Sequence, residues 1–132
     1  KRTESLKQLL LFMTQMKQDP RENVVVLGDF NTDEAGLDYL TTYKTISEHP
    51  LGLKSAMKAA STSQEEPQYT TCKIRKEGHE TCHTIDYIWV PKSSKVLSML
   101  EIPNREALPP CRLPCVEYPS DHVSIGCDVV VM

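Results

Sequence analysis

Val24-Val25-Val26-Leu27-Gly28-Asp29-Phe30-Asn31 decides how this chain is read. Four aliphatic residues run without a polar interruption and then stop at Gly-Asp-Phe-Asn. Such a run predicts a strand buried on both faces and covered by the helix before it. Ligands of open α/β sheets sit outside the ends of such strands. Gly28 permits a tight exit, while Asp29 and Asn31, two apart, point to one side. The plainer alternative is a strand-to-turn transition with Asp and Asn serving the turn. From this stretch alone the two readings stand level.

Upstream, Leu6, Leu9, Leu10, Met13 and Met16 recur at helical steps, with Ser5 and Gln8 in capping-box relation, and Asp19-Pro20 ends the helix. Downstream, 33–40 and 53–60 read as short helices, and 61–67 as a polar loop. Tyr69 to Ile74 and Thr84 to Val90 are strands by their β-branched and aromatic content, joined around Gly78 as an antiparallel hairpin. Val96 to Ile102 is a further strand, 103–119 a Pro-rich irregular stretch, and Val123 to Val131 a final buried strand. This order implies an α/β layer with antiparallel pairs.

The bulk numbers bound the answer. With 132 residues, 39% of them hydrophobic, and a net charge of −3, the chain has room for one core and is not a disordered tail. The longest apolar run, Leu9 to Met13, is far short of a membrane span. Neither a secretory signal nor an initiator Met opens the sequence, so an excerpt from a longer chain is expected. Five cysteines, an odd number without secretory context, predict reduced thiols in a cytosol-like compartment. A sequence pI near 5.8 argues against long nucleic acid as a ligand of this stretch alone, but not against a small phosphorylated one.

Two more stretches concentrate chemistry. In Thr84-Ile85-Asp86-Tyr87-Ile88-Trp89 a carboxylate sits inside an aromatic strand, which is costly unless paired; the bland alternative is an edge strand with one wet face. In Pro119-Ser120-Asp121-His122 an imidazole suited to phosphate contact or proton work precedes the last strand; alone, a Ser-Asp cap beside a solvated His explains it as well. Asp86 and His122 explain each other, which predicts a side-chain hydrogen bond between them.

Gly-Asp-Phe-Asn, Ile-Asp-Tyr-Ile and Ser-Asp-His, in that order, resemble the exonuclease–endonuclease–phosphatase superfamily. The stretches 66–71, 73–75, 82–89, 112–114 and 118–122 look like its nocturnin branch, relatives of the poly(A) deadenylases. Cys72 departs from that pattern, which has an aromatic there. The resemblance implies that residues 1–132 are the C-terminal half of one domain, a four-layered α/β sandwich with a mixed sheet and antiparallel pairs. The N-terminal half, with the principal metal-binding Glu and its companion Asn, would lie outside them. It implies Mg²⁺ as cofactor and roles for individual residues: Asp29 positions or deprotonates the attacking water, and Asn31 binds the scissile phosphate. Asp86 orients His122, which contacts a phosphoryl oxygen. Asp121 approaches the metal, and Arg75 binds the substrate's pyrophosphate. The implied substrate is the 2′-phosphate of NADP(H), in the cytoplasm or mitochondrion. Two alternatives stand beside it: a 3′-exonuclease acting on the RNA poly(A) tail, and a non-catalytic interaction fragment.

Overall fold

A computed structural model describes residues 2–17, 19, 23–32, 42–75 and 78–132. Helix α1 spans Arg2–Met16. It begins ahead of Ser5, so the expected capping box does not form: Ser5 lies inside the helix. Leu6, Leu10 and Met13 form its buried stripe, whereas Leu9, Leu11, Phe12 and Met16 are exposed.

The central sheet has the order β1 (Val26–Asp29), β5 (Asp86–Pro91), β2 (Leu53–Ser55), with both pairs antiparallel. Period-2 alternation along β5 gives each face its own core. Tyr87 and Trp89 face α1 and join Leu6, Leu10, Met13, Tyr43, Ile46, Leu53 and Met57. Their rings meet Tyr43 edge-on at 5.4 and 5.1 Å, a geometry that suits aromatic quadrupoles. Truncating the fully buried Trp89 to Ala would cost about 3–5 kcal/mol. Ile88 and Val90 face the other way, with Ala56 and the inner residues of the ribbon formed by β6 (Lys95–Met99) and β7 (Cys127–Val130).

Several expectations change at this point. β1 is an edge strand, with no partner but β5 among the described residues, and Leu27 is 69% exposed rather than buried on both faces. Residues 53–60 divide into strand β2 and helix α2 (Ala56–Ala60), because the Ser55 side chain caps α2 by accepting from the Lys58 amide. The hairpin around residue 78 joins β3 (Thr71–Ile74) to β4 (Glu80–His83), while residues 86–91 pair into the central sheet. β7 is shorter than expected, and only alternate residues are partly buried. The helix expected over 33–40 lies outside the described residues.

Cys72 and Cys82 oppose each other in the β3–β4 register, 3.9 Å apart at Cα, and form a disulfide. That corrects the expectation of reduced thiols for this pair, since strand register brings together two side chains that sequence spacing leaves apart. Cys111, Cys115 and Cys127 are free. Among the described residues, no helix is long and apolar enough to cross a membrane.

Candidate active site

The site forms where the β1–β5 ladder ends. Asp29 and Asp86 are direct register partners there, and residues paired in this way project to the same face. Two like charges so placed repel unless each is otherwise engaged. Gly28, one residue before the end of β1, has φ +149°, a conformation that L side chains rarely adopt. Asn31 then turns left-handed at φ 51°, which Asn tolerates better than most residues. The turn brings its backbone amide and its Nδ2 onto the two Asp29 oxygens, at 2.8 and 3.0 Å. Asp29 and Asn31 therefore meet through an Asx-type turn rather than through strand alternation.

Asp86 is engaged from the other side. His122 Nδ1 lies 2.8 Å from its Oδ2 across 36 positions of sequence, which is the predicted bond. Thr70 Oγ1 donates to the same oxygen at 2.6 Å. That hydroxyl also accepts from the amides of Ile85 and Asp86, at 3.0 and 3.1 Å, so its only hydrogen is committed to the carboxylate. Asp86 Oδ2 accepts from Thr70 and faces His122 Nδ1 as an acceptor again, which places the ring proton on Nδ1. Nε2 is left as the working nitrogen.

The loop carrying His122 is held by the start of β3 and by Thr70 just ahead of it. The Val123 amide donates to the Thr70 carbonyl at 2.9 Å, and Thr71 Oγ1 donates to the Asp121 carbonyl at 2.7 Å. The Asp121 carboxylate turns to Lys73 Nζ, 2.6 Å away. That ammonium keeps the Asp121 carboxyl below its ordinary range and hence ionised near neutrality. Asp121 is thus beside the Asp29–Asp86–His122 cluster rather than within it, its Oδ1 lying 4.0 Å from His122 Nε2. Arg75 is exposed in the turn beyond β3; four residues past Thr71, it lies about 13 Å along the strand direction.

Ligand atoms of Asp29, Asp86 and His122 all fall within 4.8 Å of one another, so the donor set can be tested against a metal. Asp86 already serves Thr70 and His122. Asp29 keeps lone pairs beyond those used by Asn31, and a hard divalent ion that takes one or two carboxylates and several waters fits that supply. A groove of ≈ 440 Å³, lined in part by Ser5, Leu9, Leu27, Asp29 and Asn31, reaches this carboxylate; its size is that of small-molecule sites.

Sequence reading had passed over Thr70, Thr71 and Lys73. A signal for two of them was present: Thr71 and Lys73 alternate with Cys72 and Ile74, which places both polar residues on one face of β3. Thr70 carried none, because its task depends on β5 lying alongside.

No family model matches the chain. Nocturnin of Xenopus laevis is 44% identical over 107 residues, covering 80% of this chain and 26% of that protein. Human nocturnin is 41% identical over 122 residues, 91% of this chain and 27% of the protein. Nocturnin of Drosophila melanogaster is 33% identical over 144 residues, 96% and 22%. The chain thus spans about a quarter of the length of the curated relatives it matches. A solved structure of the human nocturnin catalytic domain with bound sulfate anion superposes with a TM-score of 0.73 at 32% identity, over 99% of this chain and 41% of that one.

Proposed function

This chain is a nocturnin-like stretch of the exonuclease–endonuclease–phosphatase superfamily, and from that premise we propose that it supplies the phosphate-handling part of a Mg²⁺-dependent phosphoester hydrolase acting on the 2′-phosphate of NADP(H). Residues 1–132 would form the C-terminal half of the domain, the other half bringing the principal metal-binding Glu. The observation that carries the reading is the His122 Nδ1–Asp86 Oδ2 bond at 2.8 Å, standing at the end of the ladder where Asp29 opposes Asp86.

Phosphate esters resist attack because nucleophile and phosphoryl oxygens are both electron-rich. Donors and cations placed where charge develops lower that barrier. Asp29, held by Asn31, accepts from the attacking water and orients it toward phosphorus. Asn31 and Nε2 of His122 bind phosphoryl oxygens, and Asp86 stabilises the imidazole in the required tautomer. Bound Mg²⁺, held on this side by Asp29 and through water by Asp121, would neutralise charge on the phosphoryl group. The human relative's structure carries a bound sulfate, a tetrahedral anion of phosphate's shape, which favours phosphate handling here. Arg75 lies too far along the hairpin for the scissile phosphate, but suits the pyrophosphate of a dinucleotide, where a guanidinium fork binds two oxygens.

The test is phosphate release from NADPH by the full natural chain with Mg²⁺, beside poly(A) shortening under the same conditions. NADPH dephosphorylation that disappears in His122→Ala is the expected result. Poly(A) shortening with NADPH untouched would overturn the substrate, and inactivity on both would leave a non-catalytic interaction role.

A further inference from the structure

We propose that the β3–β4 hairpin carries a metal site of its own, in which Cys72, Cys82 and Glu80 take one thiophilic divalent cation, of the Zn²⁺ class, once the disulfide is reduced. Cys72 and Cys82 are register partners, so the backbone ladder presents them side by side. Glu80 lies two residues before Cys82 on β4 and projects to the same face. One ligand atom from each of the three falls within 4.8 Å of the other two, and Glu80 Oε1 stands 4.0 Å from Cys72 Sγ. Two sulfurs and an oxygen suit a thiophilic ion, whereas Mg²⁺ prefers oxygen alone. This site is separate from the Asp29–Asp86–His122 cluster. Alternation along β3 turns Cys72 away from the face on which Thr71 and Lys73 hold Asp121.

Arg105 and Arg112 both donate to Glu80, Arg112 to the same Oε1 that faces Cys72. A carboxylate oxygen keeps a further lone pair, so Glu80 can ligate while it accepts. The two guanidiniums then serve as the outer partners that orient a ligating carboxylate. Their charge also offsets part of the repulsion among two thiolates and a carboxylate gathered at one place. Cys72 is fully buried, whereas Cys82 and Glu80 are partly exposed. That gives the ion a way in and leaves a fourth, tetrahedral position for water. The chemistry balances in two steps. Two equivalents of a low-molecular-weight thiol become one disulfide and leave Cys72 and Cys82 as thiols. The cation then displaces two protons and binds both sulfurs as thiolates. A low-molecular-weight disulfide takes the two electrons back, the Cys72–Cys82 bond re-forms, and the ion leaves.

The experiment titrates the full natural chain, reduced and then freed of reductant without air, with Cd²⁺, whose bonds to thiolate sulfur absorb by charge transfer. The oxidised parent and reduced Cys82→Ser are titrated beside it. The reduced parent should bind one more Cd²⁺ per chain than either. Glu80→Gln should keep the thiolate absorption but bind at least about tenfold more weakly, since even an outer partner of a ligand is worth that much. N-ethylmaleimide should label Cys72 and Cys82 in the reduced chain and spare both once Zn²⁺ is bound. Thermal melts confirm that each variant is folded. Equal Cd²⁺ stoichiometry in the reduced parent and Cys82→Ser, or in the reduced and oxidised parent, would overturn the proposal. So would an unchanged affinity in Glu80→Gln. Every readout is independent of hydrolysis, so the result bears on this site and not on the function proposed above.

Discussion

Replacing Thr70 by Val in the full natural chain removes one hydroxyl and nothing else of size, which isolates what that oxygen does. Thr70 is fully buried; its Oγ1 donates to Asp86 and accepts from the amides of Ile85 and Asp86. A hydrogen bond to a charged group is worth about 1.5–3 kcal/mol, and each buried amide left without an acceptor costs about 1–3 kcal/mol. These terms share one atom and do not add fully, so we expect a loss of about 3–6 kcal/mol. At about 2–4 °C per kcal/mol for a domain of 150–250 residues and less for a larger one, the melting temperature should fall by roughly 5 °C or more. Below that transition, kcat should fall about tenfold to 10²-fold, because the Asp86 carboxylate is free to turn away from His122. Thr70→Ser keeps the hydroxyl and should lie close to the parent in both measurements. Calorimetry and initial rates on the three proteins decide the matter. If Thr70→Val melts within about 2 °C of the parent and keeps its kcat, the hydroxyl does not organise this site and the reasoning fails.

Asp29→Ala should lose about 10²-fold or more in turnover with little change in melting temperature, since Asp29 is exposed at a strand end; a large drop in stability would reveal a turn residue instead. Glu80, hydrogen-bonded by Arg105 and Arg112, titrates below the ordinary value of 4.5, so its stabilisation is present above that value and is lost as pH falls through the lowered one. Glu80→Gln should accordingly melt lower than the parent near pH 7, and the gap should close on acidification; thermal melts at several pH values check both points. Residues 1–132 expressed alone should scatter light and lack turnover, because Leu11, Phe12, Met16 and Leu27 are 58%, 58%, 59% and 69% exposed; a monomeric fragment with measurable NADPH hydrolysis would contradict this.

What the sequence made legible were features whose cause is local. The helix at the N-terminus follows from apolar periodicity, and the strand ending in Gly28-Asp29 from a β-branched run with an abrupt polar stop. Asp86 and His122 could be paired because a carboxylate inside an aromatic strand needs a partner and an imidazole can supply one. Features set by neighbours far along the chain were not legible. Residues 84–90 read as the second arm of a hairpin because strand propensity is blind to partner, and the actual partners of β5 are β1 and β2. Cys72 and Cys82 gave no sign of bonding, since their approach depends on the β3–β4 register. Leu27 read as buried because an aliphatic run states that a residue has a covering, not where the covering comes from.

The exposed face at Leu27 and the opposed carboxylates at Asp29 and Asp86 belong to one argument. Leu27 pairs with Ile88 and Asp29 with Asp86 in the same ladder, so all four side chains project to one face of the sheet. Ile88 is buried there against Ala56 and the β6–β7 ribbon, whereas Leu27 is open. An apolar edge beside two like charges is a poor arrangement for stability: the repulsion alone is worth a few tenths of a kcal/mol to about 1 kcal/mol, and the exposed Leu forgoes the roughly 1.5–3 kcal/mol that full burial would contribute. Local rules of this kind are broken together where a site requires it. The carboxylates need a common face to act on one phosphoryl group. The apolar surface next to them is where a second layer would exclude water and strengthen every charge interaction at that group.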